Sequence, residues 1–285
     1  MTKCYYLKMA ETVFKVETPY DLSIEDSFIP FMLRMDQCDI SIDYSFGFPS
    51  VEEEKQLEIK NPLVWRGNNY YRIERRLMSS KPSGGIVLRD NQPFHVEGYL
   101  YSNAKQTIKT MSDLLDISEL EILFANRDSF FLHSSVVSRR KSAILFTAPS
   151  GTGKTTQAEL WEKHRLSHQI NGDRALIRKT EKGWMAFGSP YAGTSKIYRN
   201  ESAPIEAIVV IRQNPENRIK RLTPMESFRY LYSETVIPKW NPNVHKHMMD
   251  LIDNISREIP VVMFHCTPDS RAVDVLEHYL QEEMI

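Results

Sequence analysis

The sequence predicts an α/β protein in two parts: a smaller β-rich N-terminal domain, then a domain whose strands and helices interleave around a mixed sheet. Three observations carry this. Residues 1 to about 105 hold short strand-like runs punctuated by Gly, Pro and Asn. From Phe130 onward strand and helix patterns alternate, the order of α/β folds. Within that second part, Ala148-Pro149-Ser150-Gly151-Thr152-Gly153-Lys154-Thr155 lies where an apolar strand gives way to a helix-compatible segment.

Taken in order, Tyr5 to Val16 reads as a strand. Cys38 to Tyr44 alternates apolar with acidic or hydroxyl residues, the period of a half-buried strand. Tyr70 to Ile73, Ile86 to Arg89 and Phe94 to Leu100 are further short strands. Glu52-Glu53-Glu54-Lys55 reads as a solvated loop, and no catalytic cluster stands out in this half. Ser112 to Arg127 reads as one helix, with Ser112 as N-cap and Leu114, Leu115, Leu120, Ile122, Leu123 and Phe124 as its apolar face. The expected organisation is therefore a β-rich domain over 1–110, a linking helix over 111–127 and a second domain over 128–285.

In the second domain Phe131 to Ser138 and Ser142 to Thr147 are strands joined by the polar turn Arg139-Arg140-Lys141. The glycine loop and a helix from Lys154 to His164 follow. Ala175 to Lys179 and Trp184 to Phe187 form a hairpin. Ile205 to Ile211 is a buried strand by its unbroken apolar run. Glu226 to Tyr232 and Val244 to Arg257 are helices, Ile259 to Phe264 a strand, and Ser270 to Leu280 the closing helix. Hairpins among interleaved elements imply a mixed sheet.

Composition narrows the function classes. The 285 residues are 41% hydrophobic and 26% charged, a globular balance. A net charge of −1 lacks the excess of a nucleic-acid binder. No basic cluster suits an anionic membrane, and no run reaches the roughly 18–20 apolar residues of a membrane helix. Charges interrupt the first residues, Met1 to Lys8, so no signal peptide is expected there. Cys4, Cys38 and Cys266 lie far apart, which suits reduced thiols in a cytoplasmic protein.

The loop from Ala148 to Thr155 meets the pattern [Ala/Gly]-x-x-x-x-Gly-Lys-[Ser/Thr]. Gly151 and Gly153 can take backbone conformations that turn successive N–H groups inward. The helix that follows adds unpaired N–H groups and the positive end of its dipole. Lys154 brings a point charge to the β- and γ-phosphates, and the Thr155 hydroxyl can coordinate Mg²⁺. Ser150, Thr152 and Thr156 complete the expected phosphate contacts, although Ser150 can equally cap the loop. The expected cofactors are ATP and Mg²⁺. With only 11 glycines in the chain, two within three residues of Lys-Thr are unlike compositional noise.

A phosphate loop of this kind commonly works with a carboxylate at a neighbouring strand end. Asp173, in Gln169-Ile170-Asn171-Gly172-Asp173-Arg174, is the first acid so placed. The run His133-Ser134-Ser135-Val136-Val137, the loop Ala148 to Thr156, and Gly172-Asp173-Arg174, in that order, resemble HPr kinase/phosphorylase and its relatives, which share a kinase core with phosphoenolpyruvate carboxykinase. The resemblance covers roughly residues 128 to 215 and leaves the first 110 unmatched. It implies a kinase core of that type and ATP-dependent transfer of the γ-phosphate to a hydroxyl. The acceptor is expected to be a serine of a peptide or protein, or a small metabolite.

The resemblance carries His133 onto the family's active-site histidine and Asp173 onto the second of its paired aspartates, with a share in Mg²⁺ binding. Gly172 stands where the first aspartate is expected, so Asp173 does a combined job or another acid such as Glu181 assists. No match to the family's phosphorolytic signature is present. Relatives assemble, which leaves a homo-oligomer open, and substrate recognition falls to the N-terminal domain.

Without the family, Asp173 can orient or deprotonate an attacking hydroxyl. His133 can bond a phosphate or the carboxylate, though a lone His in an apolar strand is more often a satisfied core residue. The competing function is a nucleotide-binding regulatory ATPase without an acceptor, which needs neither residue. Weaker candidates are Tyr191, Thr194, Lys196 and Arg199 in the loop after Gly188, equally readable as surface. His245 and His247 fall two apart on a helix and do not face one another. Trp184 and Met185 read as core. Arg212, Arg218 and Arg221 read as solvated, with one available as a phosphate clamp.

Overall fold

A computed structural model describes residues 2–35, 37–77 and 81–282. Met1 and residues 283–285, which the expected domains include, lie outside the described residues. The chain divides into two compact units, Met1–Arg127 and Asp128–Ile285.

The first unit is built on one nine-stranded sheet. Its elements are β1 (Lys3–Met9), β2 (Thr12–Thr18), β3 (Met32–Leu33), β4 (Ile40–Phe46), β5 (Lys55–Gln56), β6 (Leu63–Arg66), β7 (Tyr70–Glu74), β8 (Gly84–Arg89) and β9 (His95–Leu100), then α1 (Ala104–Thr107), α2 (Met111–Asp116) and α3 (Leu120–Ala125). The spatial order is β3-β1-β2-β4-β9-β8-β7-β6-β5. The pairs β2–β4 and β4–β9 are parallel and the other pairs antiparallel. Alternation drives it: Thr12, Phe14, Val16 and Thr18 of β2 are buried while the residues between are half-buried.

Three sequence expectations change here. Tyr5 to Val16 is a hairpin rather than one strand. Ala10 and Glu11 turn it with φ of 46° and 60°. Positive φ at both central residues is the geometry of a tight hairpin, normally signalled by Asn or Gly; neither is present. The expected helix over Ser112 to Arg127 is two short helices, broken between Asp116 and Leu120. Glu119 sits at φ 50° with its carboxylate on Arg75 at 2.7 Å, and Ser118 Oγ donates to Leu114 O. The N-cap is Thr110, in a capping box with Asp113, not Ser112. Finally, Glu54 is not solvated: it pairs with Arg72, 4% exposed, which also bonds Glu74 at 2.7 Å. A buried cation requires such partners.

The second unit comprises β10 (Ser129–Arg139), β11 (Ser142–Thr147), α4 (Lys154–His164), β12 (Ser167–Asn171), β13 (Arg174–Thr180), β14 (Gly183–Phe187), β15 (Ser202–Gln213), β16 (Arg218–Arg221), α5 (Pro224–Ser233), α6 (Pro242–Glu258), β17 (Val261–Cys266) and α7 (Ser270–Glu282). Its sheet is mixed, ordered β11-β10-β13-β14-β15-β17-β16, with β12 also on β10 and β11 also on β15. Two long strands organise it. The first half of β10 pairs with β13 and its second half with β11 and β12. The first half of β15 pairs with β14, and the second runs parallel to both β11 and β17.

Strands β12 and β16 escape the sequence patterns. Ser167-His168-Gln169-Ile170-Asn171 holds one apolar residue, and Arg218-Ile219-Lys220-Arg221 is a basic edge strand. Their pairing with β10 and β17, not their own periodicity, makes them strands. The core against this sheet joins Ile144, Phe146, Val209, Phe264, Trp161 and Leu276. Helix α4 buries Lys154, Gln157, Ala158 and Trp161, spaced i, i+3, i+4, i+7 on one stripe. Fully buried side chains of the Leu and Phe kind contribute roughly 1.5–3 kcal/mol each. That packing fixes the helix start, and with it the loop from Ala148.

Candidate functional site

The loop between β11 and α4 has the backbone its glycines imply. Gly151 has φ +77° and Gly153, the N-cap of α4, φ +108°. A Cβ at either would meet no atom within 4 Å, so glycine is needed there for conformation and not for space. Lys154 begins the helix and is 7% exposed. Its ammonium donates to Ala148 O at 2.7 Å and Pro149 O at 3.4 Å. Burial lowers its pKa, while Glu234 and Asp173 nearby act to raise it. The Thr152 hydroxyl donates to Pro149 O at 2.8 Å and pins the turn. Ser150 is exposed, Thr155 half-buried and Thr156 exposed at the mouth of the loop.

His133 and Asp173 come together across β10 and β13. His133 pairs in register with Arg174, and Ser134 N donates to Asp173 O at 2.8 Å. His133 Nε2 lies 3.4 Å from Asp173 Oδ1. The turn holding Asp173 is organised by Asn171, which is fully buried. Asn171 Oδ1 accepts from Asp173 N at 3.0 Å and its amide donates to Ser189 O at 3.0 Å. The Asp173 carboxyl is held below the usual range, first by His133 and then by the charges of Arg174 and Lys154.

A second carboxylate is present, from a position the sequence did not flag. Glu234 follows α5 directly, 101 residues beyond His133. Its Oε2 lies 3.0 Å from His133 Nδ1, and its backbone carbonyl accepts from His133 N at 2.9 Å. Its side chain is 12% exposed. The imidazole therefore stands between two carboxylates, one on each ring nitrogen. Nothing in Tyr232-Ser233-Glu234-Thr235 carries a motif. The placement comes from a β-bridge between Leu132 and Thr235, a tertiary event without local signal.

This corrects the expected assistant. Glu181 lies exposed in the turn after β13, at the end of that strand away from Asp173. Gly172 is fixed as glycine by packing. A Cβ there would overlap the Ser195 hydroxyl, which is itself held by Ala192 O at 2.7 Å and Ile197 N at 3.2 Å. A side chain at position 172 would thus have to displace Ser195.

The weaker candidates separate. The 3₁₀ turn Gly193–Ser195 lies against the site: a Cβ on Gly193 would stand 2.9 Å from Asp173 Cγ. Tyr191 packs edge-on to Phe131 with its carbonyl on Asn171 and Arg174. Thr194, Lys196 and Arg199 are exposed. His245 bonds the Tyr232 hydroxyl and His247 faces Asp128, so each has its own partner. Trp184 is buried, with Nε1 on Glu258, and Met185 is half-buried. Arg218 and Arg221 are exposed. Arg212 is exposed too, and in addition lines a cavity of about 180 Å³ with Pro149, Thr152 and Glu234, its guanidinium 6.0 Å from the Tyr230 ring. Cys4 and Cys38 are exposed, Cys266 is buried, and all three are free thiols.

No group of three or more His, Cys, Asp or Glu with metal-holding geometry occurs among the described residues. The donors at hand, the Thr155 hydroxyl and an ionised Asp173 carboxylate, are hard oxygens. They suit Mg²⁺, which is commonly held by one or two carboxylates together with substrate phosphates rather than by a protein cage.

No helix of the described residues is long and apolar enough to cross a membrane. No family model matches the chain, and no curated protein matches it in sequence. Among solved structures, the Hpr(Ser) kinase/phosphatase from Coxiella burnetii is a weak neighbour. The match has a TM-score of 0.31 and 9% identity over 54% of this chain and 88% of that one.

Proposed function

We propose that the second unit is an ATP-dependent kinase that transfers the γ-phosphate to a hydroxyl, serine being the expected acceptor group. The observation that carries this is the charged array beside the loop: Lys154 at the helix start, and Asp173 and Glu234 on either side of His133. A module that only binds nucleotide needs the loop and Lys154. It does not need an imidazole held between two carboxylates.

The chain's own groups divide the work. Loop N–H groups and Lys154 bind the triphosphate and meet the charge that develops on it. Thr155 and Asp173 would hold Mg²⁺, which when bound neutralises the β- and γ-oxygens. Asp173 Oδ1 faces His133 and Oδ2 lies 3.9 Å from Arg174 Nε, so Oδ2 orients the acceptor hydroxyl beside that guanidinium. The acceptor oxygen forms a bond to the γ-phosphorus as the bond to the β–γ bridging oxygen breaks. The hydroxyl proton passes to Asp173, and ADP leaves with the electron pair. His133, fixed by Glu234, holds Asp173 in place and spreads the charge of the pair. Arg212 at the small cavity supplies a cation to the transferring group.

Recognition of the acceptor we assign to the N-terminal β-rich domain, residues 1–110 within the first unit. Two exposed aromatic rings at the end of β4 support it, Phe46 at 44% and Phe48 at 57% exposure. The test is incubation with γ-labelled ATP and a panel of serine-containing peptides, free serine and water. Label in a peptide or serine supports the kinase. Inorganic phosphate alone, whatever the acceptor, replaces it with the ATPase switch.

A further inference from the structure

The turn that carries Asp173 leads directly into a cation, Arg174, the first residue of β13. Its backbone is held on both sides. Arg174 N donates to Tyr191 O at 3.3 Å, and its carbonyl accepts from the Ser189 hydroxyl. Arg174 also pairs in register with His133 across β10 and β13. Directly opposed residues of an antiparallel pair present their side chains on one face. His133 and Arg174 therefore share a face of the sheet, with Asp173 beside both.

The guanidinium is close to the carboxylate without being consumed by it. Its Nε stands 3.9 Å from Asp173 Oδ2, an ion pair beyond hydrogen-bond length. Among the described residues the Arg174 guanidinium makes no hydrogen bond. The Arg174 side chain is 49% exposed and that of Asp173 31%, so both are open to a solute. The two carboxylate oxygens thus differ: Oδ1 looks to His133 and Oδ2 to Arg174. A hydroxyl held on Oδ2 has its carbon skeleton beside the guanidinium. That group offers five N–H donors in a planar fork that matches a carboxylate.

We propose that Arg174 sets acceptor specificity, and that the acceptor carries a carboxylate next to its hydroxyl, as serine does when its α-carboxyl group is free. The assignment rests on the reading of Asp173 as the group that handles the acceptor hydroxyl. The hydroxyl donates to Asp173 Oδ2 while guanidinium N–H groups donate to the acceptor's carboxylate. In serine the two groups sit on adjacent carbons, a separation that suits neighbours as close as Oδ2 and Nε. Arg174 takes no proton and remains a cation throughout transfer. An amide in place of the carboxylate keeps the shape and loses the charge. A free α-carboxyl belongs either to the amino acid itself or to serine at the end of a peptide.

Initial rates on the full chain with Mg²⁺ and γ-labelled ATP test it, with two matched pairs of acceptors. One pair is L-serine and L-serinamide; the other is a peptide ending in serine, with its terminal carboxyl free or amidated. The expected kcat/KM is about 10- to 100-fold higher for the acid than for the amide in at least one pair, the scale of a charge-assisted hydrogen bond. Preference within the first pair names the free amino acid, and within the second the chain end. Arg174→Gln is expected to bring that ratio to within about threefold of one, and Arg174→Lys, which keeps the charge but not the fork, to an intermediate value. Ratios near one for both pairs in the unsubstituted chain overturn the proposal. So does an Arg174→Gln protein that slows acid and amide equally, the mark of a cation serving the transferring phosphate instead. Label confined to other hydroxyls overturns it and leaves the kinase standing. Inorganic phosphate with no labelled acceptor of any kind removes the kinase reading as well.

Discussion

Placing a second carboxylate beside Asp173, by Gly172→Asp, is expected to harm this protein. The new Cβ lands on the Ser195 side chain, whose Cβ would be 2.5 Å away. Ser195 cannot swing clear without losing its bonds to Ala192 O and Ile197 N, at 2.7 and 3.2 Å. Overpacking costs about 1–3 kcal/mol, and each lost hydrogen bond about 1 kcal/mol. The sum is about 3–5 kcal/mol, or a fall in melting temperature of roughly 6–20 °C for a unit of this size. Scanning calorimetry reads it directly. The double variant Gly172→Asp/Ser195→Gly removes the obstruction and is expected to regain most of the loss, because contacting sites couple. A Gly172→Asp protein melting within about 1 °C of the parent would refute the packing argument.

Three further outcomes are expected. Glu234→Gln removes one charged partner of His133, a bond of about 1.5–3 kcal/mol, so turnover should fall roughly 10- to 100-fold. ATP affinity should move little, and an unchanged kcat removes Glu234 from the site. Asp173 has a folded pKa below its ordinary value, so its contribution is complete above about pH 4 and fades only as pH falls through the depressed value. A pH–rate profile should therefore show no acid limb from Asp173 above pH of about 4, and a limb that Asp173→Asn abolishes near pH 5–6 would contradict this. Burial of Glu119 raises its pKa to about 7. The folded state then holds more protons than the unfolded between about pH 4.5 and 7, and stability falls as pH rises through that window. Glu119→Gln should flatten this slope in the melting temperature; an unaltered slope would assign it to other groups.

Local chemistry made much of this readable. Helix α4 was legible as the helix-compatible segment after the glycine loop, although its buried stripe is half polar, and the loop from glycines whose positive φ no other residue adopts comfortably. His133 and Asp173 were legible by order along the chain, and the structure sets them 3.4 Å apart. Glu234 was not legible, because only the bridge between Leu132 and Thr235 brings it in. The Ala10-Glu11 turn was hidden for another reason: its residues adopt positive φ without the Asn or Gly that usually announces it. The break before Leu120 was masked because the apolar periodicity runs on through it, while the Glu119–Arg75 pair sets the interruption. Glu54 looked solvated by composition and is claimed by a buried arginine 18 residues away.

The most direct test of phosphoryl transfer is the Asp173→Asn protein, measured with γ-labelled ATP and whichever acceptor the unsubstituted chain labels. Transfer should drop by about 100-fold or more, the scale of a lost acid–base group, while ATP binds as before. Transfer at the parental rate in Asp173→Asn would contradict the proposal that this carboxylate handles the acceptor hydroxyl.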